Sequence, residues 1–164
     1  MKKLFLTLAL AFGMFAANAQ VWLGGSANAQ FKDGFRLSVA PEIGYSFNDS
    51  PISIATSLNF ILGGSNGTTA WELIASPYVR CNLASIEKFN IFMDLTGDFC
   101  VPDFKEFGWR VGLQPGIAWM ATEHWTAAAR IGFVGYNKCA FFDGEGFVVD
   151  FAAAIPTIGL YYNF

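Results

Sequence analysis

Eight side chains carry the charge chemistry available to this chain away from its turns. Arg36, Arg80, Arg110 and Arg130 are the cations, and Glu42, Glu72, Asp94 and Asp98 the anions. Each falls among alternating residues, where every second position shares one face of a strand. A guanidinium is a rigid fork of donors that grips a carboxylate through two bonds at once. Four of each sign on one side of a closed sheet would therefore meet as a neutral, cross-linked network. At an effective dielectric near 20, opposite charges about 4 Å apart attract by roughly 4 kcal/mol, before desolvation is subtracted. Two roles are open to such a set: a space-filling network that closes an interior, or a pathway for protons or ions. The balance of signs favours the first.

Other chemistry is sparse. His124 is the one histidine, beside Glu123 in a turn, and no Ser-His-acid arrangement can be built around it. Polar turn residues of this kind are ordinarily just solvated. No His, Cys or carboxylate run has metal-ligand spacing, so no catalytic residue, metal or cofactor is assigned. The three cysteines, Cys81, Cys100 and Cys139, do not make a disulfide framework. Cys100 and Cys139 fall near the same end and could pair, but unpaired thiols are the expectation, with Cys81 facing outward. Every lysine after residue 20, namely Lys32, Lys88, Lys105 and Lys138, lies in a turn or loop.

The elements that must position the charges follow from composition and pattern. Of the 164 residues 54% are apolar and only 14% charged, against roughly 25% charged in a soluble domain. Lys2-Lys3, the apolar run from Leu4 to Ala17 and Ala17-Asn18-Ala19 have the three regions of a secretory signal. We therefore expect residues 1–19 to be removed and residues 20–164 to form one domain. Losing Lys2 and Lys3 takes the net charge from −3 to −5, which offers no footprint for nucleic acid. No later apolar stretch is long enough for a membrane helix.

What remains is strict alternation in eight segments. The first runs from Val21 to Phe31, and a tight turn at Lys32-Asp33-Gly34 leads to the second, Phe35 to Phe47. The third covers Ile52 to Leu62, followed by an expected flexible loop, Gly63 to Thr69. The fourth follows from Trp71 to Leu83, with Arg80, Tyr78 and Glu72 on its polar face. The fifth covers Phe89 to Val101, the sixth Trp109 to Trp119. The seventh sets Trp125, Ala127, Ala129, Ile131 and Phe133 against Thr126, Arg130, Gly132 and Tyr136. The connection from Asn137 to Gly146 precedes the eighth, which ends at Phe164. Counting back from Phe164 places Asp150 roughly 35 Å up, at about 3.3 Å per residue and a tilt near 40°. The hairpin there is a candidate free edge for a partner strand, although Phe141 and Phe142 folding back over the barrel mouth is preferred.

Eight strands of about ten residues describe an all-β, eight-stranded, antiparallel up-and-down transmembrane barrel, the form in which a closed sheet satisfies every backbone group in lipid. A soluble barrel with an apolar interior is the competing fold. It is disfavoured because the polar face lacks lysine and the apolar face holds too many large side chains for an eight-stranded interior. Tyr45, Phe47, Phe89, Trp119, Trp125, Tyr162 and Phe164 gather at the short-turn end, and Phe31, Phe35, Trp71 and Trp109 at the loop end, as two interfacial girdles would. A Pro-x-(Ile/Val) unit recurs at Pro41, Pro77, Pro115 and Pro156, at intervals of 36, 38 and 41 residues. Proline cannot donate to a ladder, so a bulge or a lost ladder bond is expected at each.

These features resemble the small porin-like outer-membrane β-barrel family of Gram-negative bacteria, close in plan to its OmpX-like and OmpA-barrel-like members. The resemblance rests on Ala17-Asn18-Ala19, the eight alternating segments, Pro41-Glu42-Ile43-Gly44-Tyr45 and the closing Leu160-Tyr161-Tyr162-Asn163-Phe164. It implies a bacterial outer-membrane location, with both termini and the turns near Asn48, Ser85 and Glu123 on the periplasmic side. Ile158, Leu160, Tyr162 and Phe164 would then be the signal read by the barrel-assembly machinery. The expected protein is a non-enzymatic monomer in outer-membrane lipid, acting structurally or through loops that meet an extracellular partner. The alternative is a narrow channel for small or hydrophobic solutes.

Overall fold

The computed structural model describes residues 20–31, 34–65, 68–100, 107–138, 145–151 and 156–164. Residues 1–19, and with them the expected signal and its cleavage site, lie outside these, as do Cys139, Phe141 and Phe142. The described chain has ten strand segments: β1 (Gln20–Gln30), β2 (Phe35–Ser46), β3 (Ile52–Ser65), β4 (Thr68–Ile86), β5 (Phe89–Cys100), β6 (Gly108–Met120), β7 (Trp125–Arg130), β8 (Phe133–Lys138), β9 (Glu145–Asp150) and β10 (Thr157–Asn163). All pairings are antiparallel, each of β1 to β5 pairs with the next, and β5 also pairs with β6. β6 carries β7 on its lower half and β8 on its upper half, and β10 joins β7 to β1. The ring β1-β2-β3-β4-β5-β6-β7-β10 is thus a closed eight-stranded antiparallel barrel. β8 and β9 are the upper continuations of its seventh and eighth strands, paired with each other.

Alternation sorts the side chains as a closed sheet requires. On β5, Phe92, Asp94, Thr96, Asp98 and Cys100 are buried inside, while Phe89, Ile91, Leu95 and Phe99 are exposed outside. The outer wall continues with Val39, Ile54, Phe60, Leu113, Ile117, Ile158 and Leu160, each exposed by 44 to 61%. A soluble monomer rarely carries a contiguous apolar patch beyond a few hundred Å², and here the apolar surface runs round the whole cylinder.

Three of the four prolines leave the expected mark. Pro41, Pro77 and Pro115 are in register with Gly25, Thr56 and Met93 of the preceding strands. On the opposite side the pairing skips. It jumps from Val39↔Phe60 to Glu42↔Ser57, from Ala75↔Phe99 to Tyr78↔Thr96, and from Leu113↔Val134 to Gly116↔Arg130. Pro156 stands just before β10. The N–H and C=O of a residue in an antiparallel strand point to the same neighbour, so a proline loses a ladder bond on that side alone and the pairing on the other side stays intact.

Three local expectations are corrected. Gly63 to Thr69 is mainly strand, since β3 and β4 stay paired as far as Ser65↔Thr68. Second, Phe133 is buried at 4% exposure and Tyr136 is exposed at 40%, the reverse of the expected faces. The cause is a bulge at Ile131-Gly132, where Gly132 takes φ 72° and Ile131 N–H donates to Pro115 O. One inserted residue inverts the parity of all that follow. Third, Arg130↔Thr157 and Phe133↔Asp150 are three residues apart on one strand and seven on the other. The second strand therefore spends four more residues than the first between these two pairs, and Asp150 sits about 10 Å lower than a continuous strand would carry it.

Candidate functional site

The interior at mid-height is built from inward positions of six strands. Arg130, the last residue of β7, is the hub. Its Nε donates to Asp94 Oδ2 at 2.8 Å, and Nη1 and Nη2 donate to the two carboxylate oxygens of Glu42 at 3.0 and 2.9 Å. Arg80, on β4, grips Asp94 of β5 with Nε and Nη2, both at 2.8 Å. Two cations and two anions thus close a neutral quartet across the barrel, with Arg130 spanning from β7 to β2 and β5.

Hydroxyls complete it. Glu42 accepts from Ser26 Oγ at 2.5 Å, Tyr78 OH at 2.7 Å and Tyr161 OH at 3.3 Å, and Tyr78 OH accepts from Arg130 Nη2 at 2.9 Å. All four charged groups are 8% exposed or less. Buried charges persist only when paired and hydrogen-bonded on every side, and Glu42 has one guanidinium and three hydroxyls doing this.

Of the eight charges expected to share the interior, the structure brings Glu42, Arg80, Asp94 and Arg130 into this one network. Asp98 and Arg110 form a separate pair nearer the loop end, where Arg110 Nε donates to Asp98 Oδ2 at 2.8 Å and Thr96 donates to Asp98 Oδ1. The Arg110 guanidinium lies 4.2 Å from the Phe133 ring centre. Arg36 and Glu72 occupy inward positions higher on β2 and β4, outside the quartet, each with interactions of its own.

Below the quartet lies a layer that the sequence reading left out. Trp22, Phe92 and Tyr161 point inward, with exposures of 5, 0 and 3%, and form one buried cluster with Tyr78, Ala118 and Ala128. Each ring has a glycine as its cross-strand partner: Trp22↔Gly44, Phe92↔Gly116 and Tyr161↔Gly24. A Cβ on any of these glycines would run into the ring. Parity, which puts each ring on an inward position, was the available signal, and the glycine partners appear only in the register. A second apolar group, Ile61, Ile74 and Cys100, lines the upper interior.

Cys100 is disulfide-bonded, which overturns the expectation of an unpaired thiol there; Cys81 is free. His124 is part of the turn-end seam. Its ring stacks on Tyr162 at 5.5 Å, its Nδ1 is 3.1 Å from Asn163 O, and its backbone carbonyl accepts from Asn163 N–H at 2.7 Å. Of the expected assembly signal, Ile158 and Leu160 face outward on β10. Tyr162 and Phe164 form an edge-to-face pair at 5.0 Å, and Trp125 packs on Tyr162 at 5.2 Å. Among the described residues no group of three His, Cys, Asp or Glu could hold a metal ion, and no helix could cross a membrane.

An open depression of about 500 Å³ lies on the outer wall between β10, β1 and β2, lined by Gly24, Gly25, Pro41 and Leu160 among others. The chain matches no model of a known protein family and no curated protein.

Proposed function

We propose that this protein is a non-enzymatic integral outer-membrane β-barrel whose interior is plugged and whose role is structural or exercised through its loop-end surface. On this reading residues 1–19 are an export signal, the outer wall faces lipid, and the chain resembles the small porin-like family of Gram-negative bacteria. It works as a monomer with no cofactor and no affinity for nucleic acid. The barrel-assembly machinery reads Ile158, Leu160, Tyr162 and Phe164. The observation that carries the proposal is the pairing of an apolar outer wall with a buried, charge-neutral interior. Lipid is the solvent that suits such a wall, and an eight-stranded interior filled by buried side chains of balanced charge leaves no open hydrated path.

The alternative is a narrow channel for small or hydrophobic solutes, which would use the same barrel with a movable interior. Recording through planar bilayers separates the two. The plugged barrel gives no steady current, whereas a stable unitary conductance from the unmodified protein refutes it. Gel mobility before and after boiling tests the barrel in detergent, and an unchanged band would count against a closed sheet that resists detergent.

A further inference from the structure

We propose that the barrier to water and ions inside this barrel is the ring layer of Trp22, Phe92 and Tyr161, and not the ion-pair quartet above it. The inference rests on the plugged-barrel reading and assigns the seal to particular residues. Along each strand the layer lies one inward position nearer the turn end than the quartet. Phe92 precedes Asp94 on β5, Ala128 precedes Arg130 on β7, and Gly44 follows Glu42 on β2.

The two layers differ in what they offer water. Every member of the quartet is a hydrogen-bonding group, so water could replace one partner and travel from site to site. The rings offer far less, since that of Phe92 has no polar atom and that of Trp22 only one indole N–H. The Tyr161 hydroxyl is turned away toward Glu42, and Trp22 meets Tyr161 edge to face at 4.9 Å and 77°. The Arg80 guanidinium covers the Phe92 ring at 3.8 Å. An apolar constriction excludes ions by dewetting, and a polar one does not.

The glycines explain how three rings close the section. An eight-stranded barrel is just wide enough to be filled by side chains. With no Cβ on Gly44, Gly116 or Gly24, each ring lies over its neighbour's backbone and reaches across the interior. Removing a ring, or adding a methyl beneath one, then opens the section without touching a charge.

Bilayer recording on the full barrel distinguishes the layers. Phe92→Ala and Trp22→Ala are expected to show single-channel steps where the wild type shows none, and Gly44→Ala the same through displacement of Trp22. The double variant Glu42→Gln/Arg130→Met stays neutral, keeps all three rings and is expected to remain silent. Gel mobility before and after boiling confirms that each recorded protein is a barrel, and Trp22→Ala or Gly44→Ala serves where Phe92→Ala does not fold. Silent ring variants that fold as barrels would overturn the proposal, as would steps from the double variant. Steps from the wild type itself would instead overturn the plugged-barrel reading.

Discussion

Replacing Arg130 by Met should be among the most damaging single changes in this barrel, and a second change should undo much of it. Arg130→Met removes three charge-assisted bonds from two carboxylates. Asp94 keeps the two-bond grip of Arg80. Glu42, 4% exposed, keeps only the hydroxyls of Ser26, Tyr78 and Tyr161. The cost therefore concentrates on one orphaned buried charge, and breaking such a pair from one side destabilises by about 3–5 kcal/mol. Adding Glu42→Gln removes the orphan while Gln can still accept from the hydroxyls. The double variant should recover roughly 2 kcal/mol relative to Arg130→Met, because replacing both partners of a buried pair costs far less than removing one. Urea unfolding in lipid vesicles, followed by tryptophan fluorescence and by gel mobility, measures the cycle. If the double variant were as unstable as the sum of the two single changes, Glu42 and Arg130 would not be coupled and the reasoning would fail.

Three further outcomes follow from other parts of the molecule. Leu95→Arg places a charge on the outer wall at mid-height, where Leu95 is 51% exposed; it should cost about 2–4 kcal/mol in a bilayer, and a neutral effect would mean that this face is not in hydrocarbon. Gly132→Ala forces a side chain into the left-handed region at φ 72° and against Phe151 and Asp150. It should destabilise by at least about 1 kcal/mol in the same unfolding assay, whereas an unchanged midpoint would speak against the bulge. Titration of unfolded, unreduced protein should find one thiol per chain, that of Cys81, and three after reduction; three in both states would remove the disulfide at Cys100.

The eight-stranded plan was legible because period-two alternation is read directly from residue types and needs no tertiary information. The inward charges were legible for the same reason, as were the ladder breaks at the prolines, since a missing N–H is a covalent fact. Which charges meet was not legible. Arg130 reaches Glu42 and Asp94 because the stagger of the sheet brings β2, β5 and β7 to one level, and stagger is a property of the closed ring. The ring layer was hidden by the same cause, since Gly44 matters only once Trp22 is known to lie beside it. Parity failed at Phe133 and Tyr136 because Gly132 inserts one residue, and nothing in an isolated glycine distinguishes a bulge from a small inward position. The disulfide at Cys100 was the less favoured of the two expected states, because spacing in the chain does not report which sulfurs come within bonding distance.

The central claim is that the outer wall meets hydrocarbon while the inner wall is sealed. Nitroxide labels on cysteines introduced at outward Leu95 and Ile117 and inward Thr96, in a Cys81→Ser background reconstituted in lipid vesicles, test it most directly. The outward labels should collide freely with oxygen and little with a water-soluble nickel complex, and the inward label should be shielded from both. Outward labels open to the nickel complex but not enriched in oxygen collisions would contradict the membrane barrel.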